Sequence, residues 1–194
     1  GGELNDFEEL YLKVRELEGR IYPDEIVKGL PDIPGGHPLE REWKLRSISA
    51  ERFIRYAVRH FPGARILELG CGNGWFSNKI YAANPGFDVY GMDVNRTELD
   101  QAARVFEKNG VTFLYGDIFK DGLRNGSFDL IVLNSTLQYF PYVKKLLRQL
   151  YPLLRGGGEV HILDTSFYRD HRKAFKASRR SAEYYKELGV PEMA

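Results

Sequence analysis

The chain has 194 residues, 43% hydrophobic and 28% charged, with a formal net charge of +1. Those values suit one globular domain with a sizeable core and remove any general attraction to nucleic acid or an acidic membrane surface. A single cysteine, Cys71, excludes an internal disulfide framework or a multi-cysteine metal site, and no apolar run approaches the ~18–20 residues that cross a bilayer, so a cytoplasmic setting is expected.

The Gly-Gly start, without methionine and without a signal-peptide apolar core, is given no meaning. Residues 5–18 place Phe7, Leu10, Tyr11, Val14 and Leu17 three and four apart, one apolar helix stripe. Residues 21–38 hold four prolines and three glycines and predict no regular element. Helical spacing returns over 39–61, with a break expected near 47–50 and an apolar face of Phe53, Ile54, Ala57, Val58 and Phe61. From there strands and helices alternate. "ARILEL" (64–69) is a strand, 75–83 a helix, "DVYGMDV" (88–94) a strand, and 96–109 a helix with capping-box spacing at Thr97 and Asp100. "VTFLYGD" (111–117) and "SFDLIVLN" (127–134) are strands, the second entered from Asn125-Gly126. A helix over 141–154 is expected to stop at Gly156-Gly157-Gly158, before the strand "EVHILD" (159–164). Alternation of this kind predicts a three-layer, Rossmann-like α/β fold: an open, mostly parallel sheet with helices on both faces. Residues 1–62 form a helical cover within the same domain as residues 63–194.

Ligands in such sheets lie beyond the carboxyl ends of the strands. Glu68 and the alternating Gly70, Gly72 and Gly74 end the first strand, Asp93 the second, Asp117 the third, Asn134-Ser135-Thr136 the fourth and Asp164 the fifth. A glycine turn there can serve a dinucleotide, a nucleotide triphosphate or a nucleoside. The P-loop pattern is absent, and a dinucleotide fingerprint would need glycine where Trp75 stands. Asp93, 19 residues after Gly74, is placed to accept hydrogen bonds from two ribose hydroxyls.

"ILELGCGNG", "VYGMDVN", "FLYGDIF", "FDLIVLNSTLQYF" and "LYPLLRGGGEVHIL", in that order, resemble the successive motifs of class I S-adenosylmethionine-dependent methyltransferases, and "NSTLQYF" resembles their small-molecule branch (type 11/12-like). The resemblance covers 64–164 and implies S-adenosyl-L-methionine as cofactor, with S-adenosyl-L-homocysteine as product. It implies that the backbone of Gly70, Cys71 and Gly72, in the turn completed by Gly74, lines the methionine part, and that Glu68 reaches its ammonium through water. It further implies that Asp93 holds the ribose, with Met92 or Val94 beside the adenine, that Asp117 accepts from the adenine amino group, that Ile118 stacks on the ring, and that the Asn134 backbone faces the ammonium. Cys71 is read as a small packing residue. Such a cofactor supplies a methyl on a good leaving group, so no triad or metal site is required and none is expected. The acceptor implied is a small or medium-sized molecule. Nucleic acid is not expected as a partner, since the D/N-P-P-Y/F motif of base-amino methylation is missing.

No catalytic residue is assigned. Gln138 and Tyr139 are expected to border the site; His37, His161, Asp164, Tyr168 and His171 are candidates for proton transfer, with His161 read as a buried structural residue. Trp43 and Arg46 are read as packing and surface residues of the cover. Residues 169–188 carry seven lysines and arginines on a helix read as solvated, with Phe175, Ala182 and Tyr185 facing inward. About 30 residues follow the fifth strand, enough for a helix but not for the family's final β-hairpin, so the domain is expected to be cut short at its C-terminus. Two alternatives stand beside methyl transfer to a small acceptor: a non-catalytic cofactor-binding domain, motivated by that short end, and an RNA methyltransferase, motivated by the basic terminal helix.

Overall fold

The computed structural model describes residues 2–106 and 109–191, with side chains from residue 8 onward. The Phe7 side chain of the first expected stripe and the expected helix end at 107–108 lie outside the described residues. The chain forms two compact units, one made of the residues up to Pro23 together with those from Ser166 on, the other of Asp24–Thr165. The helices of 24–60 fall in the same unit as the sheet.

The larger unit runs α2 (Asp24–Gly29), α3 (Glu40–His60), β1 (Arg65–Leu69), α4 (Trp75–Ala83), β2 (Asp88–Asp93), α5 (Arg96–Phe106), β3 (Thr112–Tyr115), β4 (Phe128–Asn134), α6 (Val143–Leu150) and β5 (Leu154–Leu163). The five strands pair in parallel in the order β3-β2-β1-β4-β5. The order reverses beside β1, so the glycine turn after β1 and the Asn134–Thr136 turn after β4 open into the same crevice. Ile66, Leu67, Glu68 and Leu69 are all buried, the signature of a strand covered on both faces. Leu67 and Leu69 join a core cluster with Ile131, Leu133, Leu146 and Leu150. Side chains alternate across a strand, so Glu68 points the other way, and there its carboxylate meets Ser77 of α4. Helices α6 and α4 therefore lie on opposite faces of the sheet. Each fully buried leucine or isoleucine in this core contributes ~1.5–3 kcal/mol.

Several expectations are corrected. The stretch 21–38 is not wholly irregular: α2 forms with Asp24 and Glu25 in its first turn and Lys28 in its last, the charge order the helix dipole favours. Helix α3 is continuous through 47–50, and its buried stripe is Trp43, Ala50, Phe53 and Ala57; Val58 is exposed. Helix α5 is capped by Asn95, whose Oδ1 accepts from the Glu98 N–H at 2.9 Å, not by Thr97. Helix α6 stops at Leu150, followed by a single 3₁₀ turn over Tyr151–Leu153, because Pro152 has no N–H to continue the ladder. The three glycines are thus not a helix cap but part of β5, at an irregularity in its pairing with β4 between Phe128 and Leu130.

In the smaller unit, α1 (Gly2–Leu17) buries Val14 while Leu17 is half exposed, contrary to the expected stripe. Helix α7 (His171–Glu187) is capped by Asp170, which accepts from the Arg172 N–H at 2.8 Å. The Tyr184 hydroxyl donates to Glu18 Oε1 at 2.8 Å, tying α7 to the turn after α1. Burial first, then this carboxylate, pushes the Tyr184 phenol up to about 12. Phe175 and Ala182 are exposed, not inward; Ala174, Ala177, Tyr185 and Leu188 make the half-buried side. No helix of the described residues is long and apolar enough to cross a membrane.

Candidate functional site

The turn after β1 is built on left-handed backbone. Gly70, Gly72 and Gly74 have φ of +76°, +51° and +74°, where a side chain is strained. Space is also short. A Cβ on Gly70 would stand 2.2 Å from Thr136 Cγ2, and one on Gly74 would stand 2.7 Å from the Phe113 ring and 2.8 Å from Ala102 Cβ. The N–H groups of Gly70 and Cys71 both donate to the Met92 carbonyl, at 2.7 and 3.2 Å, which fixes the turn against the end of β2. Thr136 closes the other side by donating its hydroxyl to the Gly70 carbonyl at 3.1 Å.

Asp93, at the end of β2, binds that turn to α5. Its Oδ2 accepts from the Gly72 N–H at 2.7 Å and its Oδ1 from the Asn95 N–H at 2.8 Å. The side chain is half-buried. Burial, and then the charge of Glu98, pushes its carboxyl up to about 6 against the pull of those N–H donors. A carboxylate has lone pairs beyond the two used here, so Asp93 retains acceptor capacity.

Glu68 is more enclosed than a residue reaching a ligand would be. It is 2% exposed, and its Oε2 accepts from Ser77 Oγ at 2.5 Å. Burial pushes its carboxyl up to about 8, despite the two Ser77 hydrogen bonds that favour the charged form. Its visible task is to fasten the first turn of α4 to β1. Cys71 is buried as well, and burial raises its thiol well above the ordinary value, as suits a packing residue and not a nucleophile. Val94 is half-buried beside Asp93.

Past β3, the Asp117 carboxylate accepts from the Phe119 N–H at 2.9 Å and lies 3.5 Å from Lys120 Nζ, holding its own turn. Ile118 is turned into the core beside Met92 and Leu137, 3% exposed. Asn134 ends β4 with its side chain 8% exposed, and its Oδ1 is buried without a hydrogen-bond partner, as is Asn95 Nδ2. The structure therefore gathers Gly70, Cys71, Gly72, Gly74, Asp93, Val94 and Asn134 around one turn. Asp117 stands one strand further on, at the edge, and Glu68 and Ile118 face into the core.

The further candidates separate similarly. The Gln138 amide folds back to the Ser135 carbonyl at 2.7 Å. Asp164 follows β5 with φ +50° and accepts from the Ser49 hydroxyl of α3 at 2.6 Å. His161 is not fully buried: its side chain is 23% exposed, with Nε2 2.7 Å from Glu159 Oε2 and its ring edge-on to Phe53. His37 Nδ1 accepts from the Leu39 N–H at 3.1 Å. Tyr168 and His171 belong to the smaller unit. Trp43 is a core residue, 3% exposed and edge-on to Trp75 at 5.3 Å, and Arg46 lies over its ring.

Residues 60–194 match the family described as "Methyltransferase domain". The chain belongs to that family. This methyltransferase domain is 26% identical over 173 residues to the arsenite methyltransferase of Rattus norvegicus, covering 75% of the chain and 47% of the relative. It is 32% identical over 138 residues to the trans-aconitate 2-methyltransferase of Deinococcus radiodurans, covering 71% and 52%. Among solved structures it resembles an S-adenosylmethionine-dependent methyltransferase from Mesorhizobium loti, with TM-score 0.51 and 29% identity over 59% of this chain and 53% of that one. The domain spans about half the length of the curated relatives it matches.

Three residues of the site were missed or underweighted in the sequence: Ser77, Asn95 and Thr136. Asn95 had a visible signal, since Asn95-x-x-Glu98 has capping-box spacing. Ser77 carries none, because its partner Glu68 lies on the strand beneath its helix; Thr136 is visible as a strand-end residue, but its reach to the Gly70 carbonyl is not.

Proposed function

We propose that this methyltransferase domain binds S-adenosylmethionine at the turn after β1 and moves its methyl group to a small or medium-sized acceptor by in-line displacement. The observation that carries the reading is Asp93, whose carboxylate is fixed by the Gly72 and Asn95 N–H groups at the crevice where the strand order reverses. Two further features fit that cofactor. No lysine or arginine lies between Ile66 and Asn78, which suits a cationic sulfonium and ammonium better than a pyrophosphate. The buried, unpartnered Asn134 Oδ1 is an acceptor beside that turn, of the kind an ammonium would satisfy. When bound, the cofactor supplies a methyl group on a sulfonium leaving group.

The chain's own contribution is positional. Asp93 accepts from the ribose hydroxyls, with Val94 beside the adenine. The left-handed glycines bring backbone close to the methionine part. Asp117, held by the Phe119 N–H, keeps an oxygen for the adenine amino group. Fixing nucleophile, methyl and sulfur in line can contribute about 7–11 kcal/mol, so a strong general base is not required. The acceptor is proposed as a small molecule because relatives named for arsenite and trans-aconitate methylation share this domain. We also propose a cytoplasmic setting, which a lone, buried Cys71 with no disulfide framework fits.

Calorimetric titration with S-adenosylhomocysteine tests this directly. Micromolar binding that is lost in Asp93→Ala is the expected result; intact binding in that variant would remove Asp93 from the site. The affinity should also depend on pH. The ionised carboxylate is the better acceptor, so affinity falls as pH drops through about 6, the value to which Asp93 is raised. At pH 5 it should be about tenfold weaker than at pH 7. Asp93→Asn should be weak and flat over that window. A wild-type profile that is flat from pH 5 to 7 would contradict this assignment.

A further inference from the structure

The net charge of +1 conceals a strongly basic surface. Helix α7 carries Arg172, Lys173, Lys176, Arg179 and Arg180, all exposed, and no acidic residue lies between Asp170 and Glu183. Among the described residues, only Arg179 of these five has an ion-pair partner, Glu183 at 3.3 Å, and both side chains are about two-thirds exposed. Positions three and four apart share a helix face, so Arg172, Phe175 and Arg179 form one row, with Lys176 and Arg180 in the next. Phe175 is 66% exposed between its two arginines, and Phe167 and Tyr168, just before the helix, are 69% and 45% exposed.

We propose that this face of α7 binds single-stranded nucleic acid, the cations meeting phosphates and Phe175, with Phe167 or Tyr168, stacking on bases. A solvated helix explains the lysines and arginines but not Phe175 left in water among them, nor Phe167 and Tyr168 left in water just before it. Basic residues tracking the backbone, with aromatic rings as stacking platforms, are the two components of sequence-tolerant single-strand binding. A membrane surface fits less well. An interfacial helix turns an apolar face to the lipid, whereas the half-buried side of α7, with Ala174, Ala177, Tyr185 and Leu188, is the packed side and its open face is charged. The proposal is independent of the cofactor reading, because every residue it uses belongs to the smaller unit.

The test is fluorescence anisotropy of the whole chain with a labelled oligouridylate of about 15 nucleotides and the matching oligothymidylate. Sedimentation with vesicles of phosphatidylcholine and phosphatidylglycerol is the comparison. Binding at about 50 mM salt that weakens steeply by about 200 mM is expected. The triple variant Arg172→Gln, Lys176→Gln, Arg179→Gln should lower the slope of log K against log salt by about 2, three phosphate contacts at ~0.7 each. Phe175→Ala should weaken binding about tenfold with the slope unchanged. Far-UV circular dichroism checks that α7 persists in each variant. Preference for the RNA or the DNA strand identifies the source of the ligand. Absence of oligonucleotide binding at low salt, unchanged affinity in both variants, or vesicle binding in its place would overturn the proposal.

Discussion

Gly70→Ala should lose both S-adenosylhomocysteine binding and a large part of the stability of the 24–165 unit. Two costs combine at this position. The left-handed backbone, φ +76°, strains any residue with a Cβ by ~1–2 kcal/mol. The new methyl would stand 2.2 Å from Thr136 Cγ2, 2.6 Å from its Oγ1 and 2.9 Å from its Cβ, and overpacking of a closed site costs typically ~1–3 kcal/mol. Thr136 is 8% exposed, and its single hydroxyl proton is shared between the Gly70 carbonyl at 3.1 Å and the Asn134 carbonyl at 3.0 Å, so displacing it also loosens the turn after β4. The sum is on the order of 3 kcal/mol, a shift of roughly 6–12 °C in the midpoint for a unit of this size. Thermal unfolding followed by circular dichroism reads the first effect and calorimetry the second.

The pair can be separated by a double-mutant cycle. Thr136→Ala removes Cγ2 and Oγ1, the two nearest atoms, so Gly70→Ala should cost less in that background. What remains is the backbone strain and the 2.9 Å approach to the Cβ that alanine keeps. Equal costs in both backgrounds would mean that Thr136 yields freely and the contact is not what keeps glycine at this position. Gly122, by contrast, has nothing within 4 Å of a built Cβ and no left-handed φ, so Gly122→Ala is the matched change expected to be nearly neutral.

What the sequence reveals of this fold, and what it hides, follows from how far each interaction reaches. Strands β1 and β4 are covered on both faces, so they read as mostly apolar runs broken by Glu68 and Asp129, and the alternation of strands with helices yields the parallel sheet directly. The polar residues at their carboxyl ends are also legible, because topology alone brings Asp93 and Asn134 to the glycine turn. Local competition is harder to judge. Gly156-Gly157-Gly158 resembles a helix stop, yet Pro152 has already ended α6, and β5 starts before the glycines. The prolines around 21–38 mask α2, although Pro23, Asp24, Glu25 and Gly29 carry ordinary start and stop signals. Depth is not legible at all. Nothing local distinguishes Glu68, sealed against Ser77, from Asp93, half open to the crevice, although both are carboxylates at the end of a strand. Likewise the net charge averages the basic face of α7 with acidic residues elsewhere in the chain.

That sealed carboxylate gives the second large expected effect: Glu68→Gln should stabilise the protein at neutral and mildly alkaline pH. The folded-state pKa of Glu68 is raised by burial from 4.5 to about 8. Between those values the folded chain holds a proton that the unfolded chain has released, so stability falls as pH rises across the window. Above about 8 the buried group must be charged, at a cost on the order of several kcal/mol. Glutamine has the same shape, keeps a carbonyl oxygen to accept from Ser77 Oγ and carries no charge, so it avoids that cost. Urea unfolding at pH 5, 6.5 and 8 should therefore show the two proteins close together at the lowest pH and the variant progressively more stable at the higher ones. Glu68→Ala separates charge from packing: it also removes the charge, but leaves a cavity and orphans the Ser77 hydroxyl, so it should be destabilised at pH 5, where Glu68→Gln is near neutral. A wild-type stability that does not decline from pH 5 to 8, with Glu68→Gln no better at pH 8, would mean that Glu68 is ionised in the folded chain. The carboxylate would then be available to attract an ammonium across the turn, and S-adenosylhomocysteine binding should weaken in Glu68→Gln instead.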